Sequence, residues 1–121
     1  SRRDEAFGIL EKLSSDVSGA YGAEAAYLLI QDCYDGGDFE GVEKKVYAFS
    51  DAGSGQTYWL AKCFLILGDS FVESGEFKQA KATFESVRDG YTPSAGGDDV
   101  QDNVQMRLRK LDELIAGQNQ L

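Results

Sequence analysis

One short phrase occurs twice in this chain, and the repetition limits what it can fold into. Gly37-Asp38-Phe39 and Gly75-Glu76-Phe77 hold the same place in two successive stretches of helical periodicity, residues 23–50 and 57–90. The segments before them also match, Tyr27-Leu28-Leu29-Ile30 against Leu65-Ile66-Leu67-Gly68. Self-similarity over this length marks one helix–turn–helix unit used repeatedly, each copy covering its neighbour's apolar side.

Apolar spacing gives the helices. Residues 4–15 carry Ala6, Ile9, Leu10 and Leu13 on one face, and residues 23–34 carry Ala26, Tyr27, Leu29, Ile30 and Cys33. Asp35-Gly36-Gly37-Asp38 stops the second helix and offers Asp38 as N-cap to a third, residues 39–50, with Phe39, Val42, Val46 and Phe49 inward. Residues 57–74 are apolar around most of their circumference, which demands cover on more than one side. Gly75 ends that stretch, and residues 77–90 follow with Phe77, Ala80, Phe84 and Val87 inward. The last helix is expected from Asp98, with Gln101 at capping-box spacing, to a stop at Gly117. Its single stripe of Val100, Val104, Leu108, Leu111 and Ile115 opposes a polar face, as a terminal cap requires.

Composition excludes several functions. A net charge of −9 disfavours nucleic acid and anionic membrane surfaces, which need clustered Lys and Arg. It suits solubility first and a basic partner second. The longest apolar runs fall short of the ~20 residues that span a bilayer. No histidine is present, so Ser-His-Asp and Cys-His catalysis cannot be assembled within the chain. Gly68-Asp69-Ser70 lies mid-helix without a base. Neither Asp35-Gly36-Gly37-Asp38 nor Asp98-Asp99 has the register of a calcium loop, and turn and cap duty explains both. No metal or cofactor is expected. Cys33 and Cys63 fall at opposite ends of their helices, too far apart to bridge if those helices lie side by side.

The second unit reads Phe64-Leu65-Ile66-Leu67-Gly68-Asp69-Ser70-Phe71, then Gly75, Ala80-Lys81-Ala82-Thr83-Phe84 and Pro93. This resembles the tetratricopeptide repeat (TPR) family, whose pattern is aromatic, Leu-Gly, aromatic, Ala, aromatic and Pro. The first unit departs from it: Ala26 replaces the leading aromatic, Ile30 the small Gly and Val42 the small Ala. The interval from Phe39 to Phe77 also exceeds the family's period of about 34 residues. The resemblance implies an all-α fold, a right-handed α-α superhelix fragment built of antiparallel hairpins with a C-terminal capping helix. It divides a single domain, residues 1–121, into the second helix of a truncated repeat (1–20), a first repeat (23–52), a second repeat (57–93) and the cap (98–117). Tyr58 to Ala61, Gly68, Phe71, Gly75 and Lys81-Ala82-Thr83 look like long bacterial envelope-associated members, which implies a periplasmic location and further repeats.

In such a family the first helix of each pair lines a concave groove that binds peptides or protein segments. Carried onto this chain, the groove comprises Glu24, Tyr27, Gln31, Tyr34 and Asp35, then Lys62, Leu65, Asp69, Val72 and Glu73. Tyrosines beside carboxylates suit apolar anchors and a basic or amide-rich segment. An equally weighted reading has Tyr27 and Leu65 packing on a neighbouring repeat and Glu24 and Glu73 merely solvated. The Asn- and Lys/Arg-rich clamp of carboxylate-binding TPR domains is missing, which disfavours acidic C-termini as ligands. The expected function is a non-enzymatic protein-binding scaffold; the alternative is a structural spacer or self-associating module.

Overall fold

The computed structural model describes residues 2–119; the outermost residues of the expected 1–121 domain, 1, 120 and 121, lie outside it. Six helices and no strand occur among the described residues: α1 (Arg2–Ser14), α2 (Ala20–Asp35), α3 (Phe39–Asp51), α4 (Thr57–Glu73), α5 (Phe77–Gly90) and α6 (Val100–Asn119). Consecutive helices pack as antiparallel neighbours from α1 to α6, and α2 also meets α4, as α4 meets α6. The alternate helices α2, α4 and α6 therefore form one layer, while α3 and α5 sit behind it and do not touch each other. This all-α stack is consistent with a helical repeat.

The two hairpins turn identically. Gly37 and Gly75 have φ of 76° and 75°, a conformation that Gly adopts without strain. At the first, Asp38 N–H donates to Cys33 O at 2.9 Å and Gly37 N–H to Tyr34 O at 3.0 Å. At the second, Glu76 N–H donates to Phe71 O at 2.8 Å and Gly75 N–H to Val72 O at 3.0 Å. Both are Schellman closures, which satisfy the carbonyls orphaned at a helix end. Asp38 caps α3 as expected, its carboxylate accepting from Gly41 N–H at 2.9 Å.

The core is continuous across the stack, with Ile30, Val42, Val46, Leu67, Ala80, Phe84, Val104 and Leu111 all buried. In the register that sets Phe39 against Phe77, Gly68 and Phe84 of the second hairpin correspond to Ile30 and Val46 of the first. A methyl group on Gly68 would overlap the Phe84 ring. The first hairpin thus exchanges a minimal and a large residue for two of middle size, whose combined volume is somewhat larger. The same comparison sets Ala26 against Phe64 and Phe49 against Val87, the two members of each hairpin lining one notch, so the aromatic ring passes from the first helix of the pair to the second. α4 is covered by α2, α3, α5 and α6, which explains its apolar circumference.

The start of α6 departs from expectation. Asp98 does not cap the helix through a capping box. Its carboxylate takes the Tyr91 hydroxyl and the N–H groups of Ser94 and Val100, at 2.9 and 3.1 Å for the latter two. These bonds, the Ser94 N–H first and the Tyr91 hydroxyl next, hold its pKa down to about 2. Gln101 turns instead to the carbonyls of Arg88 and Tyr91, each at 3.1 Å. The carboxylate is saturated by the loop, so the reciprocal box has nothing to add. Nor does Gly117 stop the helix, which runs through it to Asn119. Without a positive-φ turn there, Gly117 only weakens a helix it does not end.

Candidate functional site

The exposed side of the α2–α4–α6 layer carries most of the residues singled out by sequence, and it divides into two clusters. In the first, the Tyr27 and Trp59 rings lie 5.4 Å apart, and Trp59 meets Tyr58 edge-on at 5.1 Å. The Tyr58 hydroxyl donates to Asp99 at 2.9 Å, and Lys62 reaches the other oxygen of Asp99 at 2.7 Å. Lys62 also stands 5.7 Å from the centre of the Tyr58 ring. Burial works against the Lys62 charge, but Asp99 and the two tyrosines outweigh it and raise its pKa. Asp99 is correspondingly lowered, first by Lys62. This cluster fastens the start of α6 to α4.

The second cluster forms a cleft of about 320 Å³ between the C-terminal half of α4 and α6. Phe84 and Leu111, each 1% exposed, make its floor. Tyr34 and Val72 stand on one side; Met106 and Leu114, 44% and 46% exposed, stand on the other. Asp69 and Arg107 brace the walls through a bidentate pair, Nε to Oδ1 at 2.9 Å and Nη2 to Oδ2 at 3.0 Å. Arg107 is held from behind by the Asn103 side chain at 3.0 Å. Burial nevertheless raises the Asp69 pKa, a larger effect than the opposing pull of Arg107. Glu73 is exposed at the rim, 3.5 Å from the Tyr34 hydroxyl, with Lys110 across the cleft. Burial first, then Asp69 and Glu73, push the Tyr34 phenol up.

The structure thus brings Tyr34, Asp69, Val72 and Glu73 into one place and Tyr27 and Lys62 into another. Glu24 and Asp35 are exposed on α2, Asp35 accepting from the half-buried Gln31 at 2.9 Å. Leu65 does not face the groove. It is 2% exposed and belongs to the core, because the greasy circumference of α4 leaves that position inside the layer. Met106, Arg107 and Leu114 were not singled out by sequence. Met106 and Leu114 stand off the main α6 stripe, two isolated apolar residues on a face otherwise polar, and that was the available signal. The pairing of Arg107 with Asp69 leaves no mark in the spacing.

Chemically, the cleft can seat an apolar side chain against Val72, Met106 and Leu114 and meet a cation at Glu73. The described residues hold no group of three His, Cys, Asp or Glu side chains placed for a metal ion. Ser70 is buried in mid-helix, donating to Ile66 O at 3.1 Å. Cys33 and Cys63 are free thiols. No described helix is long and apolar enough to cross a membrane. No family model, curated protein or solved structure matches this chain.

Proposed function

We propose that this chain is a TPR-type, non-enzymatic scaffold that holds a segment of a partner protein along the face of α2, α4 and α6. The observation that carries the reading is the cleft between α4 and α6, where half-exposed Met106 and Leu114 face Val72 and Tyr34 over a buried aromatic floor. Large apolar side chains left open in a walled, braced recess are characteristic of an interaction site. The partner's anchor is a Leu, Met or Phe side chain with a Lys or Arg beside it for Glu73, in keeping with the net charge of −9. The interlock of Gly68 with Phe84 and the twin Schellman turns support the TPR assignment and, with it, a right-handed superhelical stack. A bacterial periplasmic setting follows only from the family resemblance.

The test is a selection of displayed peptides on the immobilised chain. Apolar–basic pairs should be enriched, and Met106→Glu or Tyr34→Ala should lower their affinity at least tenfold. Binding that is indifferent to both substitutions, or no enrichment at all, refutes the groove.

Self-association is a second reading, favoured by Phe7, Ile9, Leu13, Tyr21 and Leu28, which stand 36–82% exposed on α1 and α2. A monomer at every concentration in sedimentation would dispose of it.

A further inference from the structure

α1 is apolar where its sister helices are wet. Setting Leu10 against Val46 of α3 and Phe84 of α5 aligns α1 with the second helix of each hairpin. Phe7 then corresponds to Glu43 and Lys81, and Ile9 to Lys45 and Thr83. Glu43, Lys45 and Lys81 are exposed, although α3 and α5 each pack between two neighbours. A further helix stacked beside α1 would therefore leave positions 7 and 9 open as well. Yet these positions carry Phe7 and Ile9, 36% and 60% exposed. Leu13, 46% exposed, corresponds to Phe49 and Val87, both buried. Among the described helices α1 packs on α2 alone. Along that seam, open hollows of about 530 and 330 Å³ carry the apolar face past Tyr21 and Leu28 of α2.

We infer that this face binds a second copy of the chain, the two α1 helices lying antiparallel across a two-fold axis with Ile9 and Leu13 buried between them. This interface develops the self-association reading and owes nothing to the α4–α6 cleft. Charge identifies the occupant. Glu5 and Lys12, both exposed, stand seven residues apart and flank Ile9 and Leu13 on the same side of the helix. When a helix pairs antiparallel with its own copy, each flank meets the same flank running the other way. Glu5 then faces Lys12 of the second copy, and Lys12 faces its Glu5. A parallel pairing would set like charge against like. An apolar stripe whose flanking charges alternate in sign fixes orientation in this way in paired helices. α1 as a whole carries no net charge in a chain of −9, so two acidic copies can approach through it.

The experiment is sedimentation equilibrium of the chain from micromolar to submillimolar concentration at low ionic strength, with far-UV circular dichroism as the check on folding. The mass should rise towards that of a dimer and stop there. Ile9→Glu, at an exposed position, should keep the helical signal and abolish the dimer. Glu5→Lys and Lys12→Glu should each weaken association at least about fivefold, and the double variant Glu5→Lys/Lys12→Glu should restore it. Met106→Glu, which should cost the α4–α6 cleft its peptides, should leave the dimer unchanged, so the two surfaces are tested apart. A monomer at every concentration leaves the face to another partner and overturns the assignment. Growth beyond a dimer, a dimer indifferent to Ile9→Glu, a double variant no better than the single ones, or a dimer lost in Met106→Glu overturns it equally.

Discussion

Exchanging the core pair of one hairpin for that of the other gives a prediction with a calculable size. Phe84 is 1% exposed and its ring lies against Gly68, while Ile30 and Val46, 1% and 0% exposed, hold the matching positions in the first hairpin. Phe84→Val alone removes most of a buried ring and leaves a cavity, at a cost of about 2–4 kcal/mol. Gly68→Ile alone drives a branched side chain into that ring, about 1–3 kcal/mol, with only a small helix-propensity gain in return. Independent effects would sum to roughly 3–7 kcal/mol. If the hairpins are copies with interchangeable packing, the double variant loses no more than about 2 kcal/mol, and the coupling in favour of the pair is at least about 1 kcal/mol and as much as about 5 if the single losses are at the top of their ranges. Urea unfolding of the four proteins, read by far-UV circular dichroism, completes the cycle. Additive losses, with the double variant the least stable of all, would refute the interlock.

Further predictions concern the fastening of α6, the turn before it and the thiols. Arg107→Met leaves Asp69 half-buried without its partner and should cost about 1–3 kcal/mol, between exposed and buried pairs, because both side chains keep about a quarter of their exposure. Asp69→Asn in that background should recover part of the loss in thermal unfolding. Asp98, held down to about 2 against 3.8 for the ordinary group, binds its proton more weakly folded than unfolded. Its contribution is therefore complete above about pH 4 and disappears as pH falls towards 2; Asp98→Asn should flatten the fall in melting temperature over that interval. Burial pushes the Cys63 thiol up to about 12, whereas Cys33 is half-buried. An aromatic disulfide reagent should label Cys33 in the native chain and reach Cys63 only after denaturant is added.

Helix positions were readable from the sequence because their determinants are local. Gly37 and Gly75 stop α2 and α4 where the left-handed residue is needed, and Asp38 starts α3 with a carboxylate that accepts the N–H of Gly41, three residues on. The greasy circumference of α4 announced its central place before any contact was known. What escaped depended on contacts between distant residues. Asp98 reads as an N-cap until Tyr91 and Ser94 are seen to claim its oxygens. Leu65 reads as groove-facing until the neighbours of α4 cover it. The half of the candidate site on α6 was hidden for the same reason. Arg107 reads as a polar cap residue, and only the layering of α6 on α4 sets it against Asp69.

The arrangement of α2, α4 and α6 in one open layer underlies the groove, the cap and the core exchange alike. Nuclear Overhauser contacts in the labelled chain measure it directly. Cross-peaks are expected between the rings of Tyr27 and Trp59, 5.4 Å apart, and between α4 and α6, with none joining α3 to α5. Cross-peaks between α3 and α5, or from α1 to α6, would describe a closed bundle and contradict it.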